Sequence, residues 1–135
     1  MKRFFHFIIV LLTVLLFQGC SEKNSKDPVR CYELWLDQKP TQDAKPLRGQ
    51  YWQSPHWSKE YIVYIELQAS VTWKDQFIKQ NGLVLSSKDT ELPADAPAWF
   101  KLGKNYKLWK KPGDDISKYY EDTLTGHFFV FEQQL

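Results

Sequence analysis

Residues 61–67, YIVYIEL, constrain the fold more than any other segment of this chain. Read as a strand, they put Tyr61, Val63, Ile65 and Leu67 on one face and Ile62, Tyr64 and Glu66 on the other. β-Branched and aromatic residues dominate, and apolar side chains stand on both faces. The segment is therefore expected as an interior strand of a sheet.

The flanking residues extend this pattern. Thr72 and Asp75 have the spacing of a capping box, and Trp73, Phe77 and Ile78 recur at helical spacing until Asn81-Gly82, so a short amphipathic helix follows the strand. Leu83-Val84-Leu85 reads as a returning strand, in either a parallel or an antiparallel pair. Residues 106–110 alternate as a strand and Pro112-Gly113-Asp114-Asp115 make a turn. Tyr119-Tyr120 and residues 128–131 flank 122–126 as a hairpin, so this part of the chain forms a meander. Asp27-Pro28 reads as a helix start with Val29, Tyr32 and Leu36 on one face, while the alternation of Tyr32, Leu34 and Leu36 fits a strand; both readings stand. Residues 39–50, with two prolines and a glycine, read as a loop, as do 90–98. The expected class is α+β: a small antiparallel sheet, ending in the meander, with one or two short helices packed on it.

The N-terminus reads as an address. Met1-Lys2-Arg3 is a positive region, and residues 4–17 are apolar except for His6 and Thr13. Spanning a bilayer takes roughly 20 apolar residues, and this run is shorter and meets the polar stretch 21–27 at once, so a signal peptide is the better reading. Phe17-Gln18-Gly19-Cys20 resembles the lipobox of bacterial lipoproteins in a degenerate form, with Gly19 and Cys20 in the matching places. That resemblance implies a signal peptide over 1–19 and a lipid-modified Cys20; the polar residues that follow read as a tether over 20–27, and the length and apolar content of 28–135 fit a single globular domain. The resemblance also implies an envelope location, with Ser21 directing the protein to the outer membrane if the host is Gram-negative. Cys31 would then be left as a buried apolar residue or an intermolecular partner.

Charge narrows the partners. The 135 residues carry 18 Lys and Arg against 16 Asp and Glu, and the surplus of two is Lys2 and Arg3. A mature chain with balanced charge has no basic field to condense onto phosphates, which argues against nucleic acid as a partner.

Catalytic and metal-binding motifs are not evident. His56 and His127 do not have zinc-site spacing, and no nucleophile elbow, phosphate-binding glycine loop, EF-hand loop or CxxC is present, so no metal or cofactor is expected. Asp114-Asp115 and Glu121-Asp122 are the paired acids a glycan hydrolase could use, although adjacent acids at turns are usually solvated. Six tryptophans rise above this background. Trp73 and Trp99 are expected in the core, whereas 51–57, YWQSPHW, fits no periodic element. Tyr51, Trp52, His56 and Trp57 are therefore the binding candidates, able to stack on sugars, anchor a protein contact or rest at a membrane interface.

Together these features predict a lipid-anchored envelope protein, held to the membrane through Cys20, whose domain binds another envelope or secreted protein without catalysing a reaction. Small lipoproteins with immunity or exclusion roles share this size and address. A module that binds or cleaves cell-wall glycan, or an assembly subunit of an envelope complex, are the alternatives.

Overall fold

The computed structural model describes residues 21–87 and 91–135. Its elements in chain order are β1 (Lys23–Ser25), α1 (Pro28–Leu36), β2 (Ala44–Gln53), β3 (Tyr61–Ala69), α2 (Val71–Gln80), β4 (Val84–Ser86), β5 (Tyr106–Lys110), β6 (Lys118–Asp122) and β7 (His127–Gln134). The strands form one seven-stranded sheet in the order β1-β2-β3-β7-β6-β5-β4. Every ladder is antiparallel, so the fold is α+β as expected, with the meander β5-β6-β7 closing onto β3.

The central strand β3 behaves as its alternation requires. Tyr61, Val63, Ile65 and Leu67 pack with Cys31, Tyr32 and Trp35 of α1 and Phe77 of α2. Tyr64 faces the other way, into a second cluster with Phe100, Leu108, Tyr120, Phe129 and Phe131, roofed partly by Leu92, Trp99 and Leu102 of the 91–105 segment. Burying one such aromatic or aliphatic side chain is worth about 1.5–3 kcal/mol, so the two clusters clamp the sheet from both sides.

Local chemistry explains the helices. Asp27 caps α1 by accepting the Arg30 amide at 2.7 Å, and Pro28 holds the first helical position, which settles the element as a helix. The chain leaves α1 through Asp37 in the left-handed region, at φ 55°. The cap of α2 is Ser70, whose hydroxyl accepts the Trp73 amide at 3.1 Å, rather than the expected Thr72, which lies inside the helix. Ser70 has the extended backbone a cap needs and stands at the end of β3, so the helix begins as soon as the strand stops. From there α2 crosses β7, β6 and β5, with Phe77 against Phe128 and Tyr119, and delivers β4 to the far edge beside β5.

Two sequence expectations are corrected. Residues 39–50 are not all loop, because β2 starts at Ala44 and pairs with β3 through Pro46. β1 covers only Tyr51–Gln53 and Thr41 bridges Ala44, so among the described residues the outer side of β2 over 45–50 has no strand partner. The register also shifts between Pro46 and Arg48, and an open edge with a bulge is where a strand tolerates proline. Residues 20–27 are not all tether either, since Lys23–Ser25 form β1 against Gln53–Tyr51.

Candidate functional site

Register places several features at one end of the sheet. β1 starts at Lys23 opposite Gln53, β3 starts at Tyr61 opposite Gln134, and Lys110 of β5 stands opposite Val84 of β4. The loops at this end are the 54–60 hairpin between β2 and β3, the 81–83 link from α2 into β4 and the 111–117 turn between β5 and β6. The hairpin is internally tied: the Ser54 amide donates to the Glu60 carbonyl at 2.9 Å, and the Ser58 hydroxyl donates to the Glu60 carboxylate at 3.2 Å. His56 Nδ1 lies 3.2 Å from the same carboxylate, and this contact, with help from neighbouring serines, holds Glu60 below its ordinary pKa. At the tip, Trp57 is 99% exposed.

Behind the hairpin a carboxylate collects aromatic donors. Glu132 of β7 receives Trp35 Nε1 at 3.2 Å and the Tyr119 hydroxyl at 2.8 Å on one oxygen, and the Tyr61 hydroxyl on the other. Burial, reinforced by the nearby carboxylate, raises the pKa of both tyrosines far above the ordinary phenol value, so they remain donors. A cavity of about 180 Å³ opens beside them, bordered by Asp114 and Lys111. The sequence carried a signal for Glu132: it shares the strand face of Phe128 and Val130, and an acid on a buried face needs partners.

The sequence-derived binding candidates separate in space. Tyr51 is fully buried and belongs to the core, stacked on Tyr61 with its hydroxyl donating to Gln53 Oε1 at 2.8 Å. Burial pushes its pKa up to about 12. Trp52, the next residue of β2, points to the opposite face and is half-buried. His56 and Trp57 stand in the exposed hairpin, so the four do not form one aromatic platform. Cys20 lies outside the described residues. Cys31 is a free, fully buried thiol 3.4 Å from the Ser25 carbonyl, and burial raises its pKa to about 11, which makes it a poor nucleophile.

The paired acids have local structural duties. Although burial opposes it, amide donation from Ser117 and Ile116 keeps the Asp114 carboxyl below its ordinary pKa. Glu121 pairs with the buried Lys74 at 2.9 Å, and Asp122 accepts the Leu124 and Thr125 amides. No protein-family model, curated protein or solved structure matches this chain.

A second polar cluster lies further along β2. The buried carboxylate of Glu66 meets Arg48 Nε at 2.8 Å and His127 Nδ1 at 2.8 Å. The Arg48 guanidinium also lies 5.9 Å from the centroid of the Trp99 ring. A cleft of about 470 Å³ runs along this unpaired stretch of β2, lined by Lys26, Leu47, Arg48, Gln50, Pro97 and Trp99 among others. Among the described residues no three His, Cys, Asp or Glu side chains cluster as a metal site, and no helix is long and apolar enough to cross a membrane.

Proposed function

We propose that this chain is a lipid-anchored protein of the bacterial envelope, attached through Cys20, whose domain binds another envelope or secreted protein and catalyses no reaction. The observation that carries the binding reading is the open outer edge of β2 beside its cleft. An extended segment from a partner can add to a sheet edge through main-chain hydrogen bonds, while flanking pockets read its side chains. Here Lys26 supplies positive charge and Trp99 an aromatic wall, while the charge of Arg48 is already met by Glu66, which favours a segment carrying an apolar residue and an acid placed beside Lys26. Natural sheets usually blunt such edges; here Pro46 and the bulge before Arg48 blunt the start of the stretch, while among the described residues no strand covers β2 from there to Gln50.

A photo-crosslinking residue in place of Gln50 tests the reading in membranes of the native host. One discrete protein adduct at Gln50, without the same adduct from the exposed position of Lys104, is expected. Identical patterns at both positions, or no adduct at Gln50, would count against a protein partner at this edge. Separately, Cys20→Ala is expected to move the chain from the membrane fraction to the soluble fraction.

A further inference from the structure

We infer that the 54–60 hairpin docks on the bilayer that holds the anchor, with Trp57 seated at the lipid headgroup level, so that the domain stands on the membrane in one orientation. The inference rests on the reading of Cys20 as the lipid-bearing residue and goes beyond it by fixing which surface meets the lipid.

Covalent geometry supplies the first constraint. Three residue steps separate Cys20 from Lys23, a reach of at most about 11 Å even when fully extended. At Lys23 the chain is already paired with Gln53, in the sheet. The expected tether of 20–27 is thus cut to its first few residues, and a domain of this size, with a radius of gyration near 13 Å, cannot stand clear of the lipid.

Direction supplies the second. β1 runs from Lys23, opposite Gln53, to Ser25, opposite Tyr51. The chain therefore enters β1 from the side on which β2 turns into the hairpin. The end of the sheet nearest the anchor is the end that carries Trp57.

Chemistry supplies the third. Tryptophan favours the membrane interface, where its ring is partly desolvated while the indole N–H stays near polar groups. Trp57 is presented by a loop tied through Ser54, Ser58 and Glu60, so presenting the ring costs little further ordering. Val84 and Ile116 are also exposed at this end, whereas the opposite end exposes Val71 and Leu124 but no fully exposed aromatic ring. Charge at this end is mixed, with Lys23, Lys59, Lys110, Lys111 and Lys118 beside Glu60, Asp114 and Asp115, and its small positive surplus adds to the contact with anionic headgroups without being its main source. The anchor provides retention, and Trp57 selects orientation at the high local concentration the anchor creates. That orientation leaves the outer edge of β2 accessible from the side.

The test uses the full chain, purified from host membranes and reconstituted into phosphatidylethanolamine/phosphatidylglycerol vesicles with or without brominated acyl chains. Mass spectrometry of the purified chain first reports whether Cys20 carries lipid. With lipid present, brominated vesicles are expected to quench tryptophan emission, and Trp57→Ala, which leaves the core untouched, is expected to lose most of that quenching while staying vesicle-bound. Leu124→Trp in the Trp57→Ala background, which puts a ring at the opposite end, is expected to remain unquenched. A lipidated chain whose quenching is absent or unchanged by Trp57→Ala, or a quenched Leu124→Trp variant, overturns the orientation and leaves the anchor reading intact. A chain without lipid on Cys20 overturns both.

Discussion

Gly49 of β2 lies so close to Cys31 of α1 that a Cβ built on the glycine would stand 2.8 Å from the Cys31 Cβ and 2.9 Å from its Sγ. The helix can approach the sheet this closely only because one partner lacks a side chain. Gly49→Ala should therefore push α1 away from β2, with a loss of about 1–3 kcal/mol typical of overpacking. A fall in the urea midpoint at unchanged m-value would bear this out; an unchanged midpoint would show that the helix shifts freely. Because alanine keeps the Cβ that would stand at 2.8 Å, and the Pro28 backbone lies at 3.3 Å, Cys31→Ala should restore only part of the loss.

Alkali should weaken the fold. Cys31 is raised from 9.0 to about 11 and Tyr51 from 10.0 to about 12, chiefly by burial, and Tyr61, Tyr64 and Tyr119 are raised as well. A raised acid keeps its proton in the folded state at pH values where the unfolded chain has already lost it. The unfolded state then binds fewer protons, so stability is complete below about pH 9 and falls as pH rises toward 12. Urea midpoints across pH 7 to 11 should show this decline. Tyr119→Phe should flatten it, and a pH-independent midpoint would contradict the assignment.

These groups mark where sequence reading succeeds and where it stops. The alternation of 61–67 was legible because β3 is covered on both faces by apolar clusters, so local pattern and final environment agree. The segment around Pro46 and Gly49 was not, since their place in β2 depends on a bulge, a partly open edge and the passage of α1 over Gly49. Tyr51 looked like part of an aromatic surface segment because its burial comes from Tyr61, ten residues along the chain. Trp57 was legible as an exposed candidate, but only the pairing of Lys23 with Gln53 puts it beside the anchor end of the chain.

Glu132→Gln tests the donor cluster behind the hairpin. Glutamine keeps the shape but turns one acceptor oxygen into an N–H₂ donor facing the hydroxyls of Tyr61 and Tyr119 or the indole of Trp35. Leaving a part-buried donor without its acceptor typically costs about 1–3 kcal/mol. At about 4–8 °C per kcal/mol for a domain near this size, thermal unfolding should fall by several degrees or more. A near-UV circular dichroism change at low temperature should accompany it, because Tyr61 on one oxygen, or Tyr119 and Trp35 on the other, lose a fixed acceptor. An unchanged melting temperature would mean that the carboxylate contributes no net stability.

The start of α2 offers a discriminating pair of substitutions. Ser70 accepts the Trp73 amide, while Thr72 is exposed as the second residue of the helix. Removing a capping hydroxyl typically costs about 1 kcal/mol, whereas an exposed early helical Thr→Ala change is nearly neutral or slightly favourable because alanine has the higher helix propensity. Ser70→Ala should therefore lower the urea midpoint and Thr72→Ala should not. Trp73 follows from this cap, since its ring stacks on Phe77 at 5.0 Å and meets Phe128 at 6.1 Å. Fraying the first turn should then raise tryptophan exposure to acrylamide in Ser70→Ala alone. The reverse ranking, with Thr72→Ala the more damaging, would move the start of α2 to the position the sequence pattern suggested.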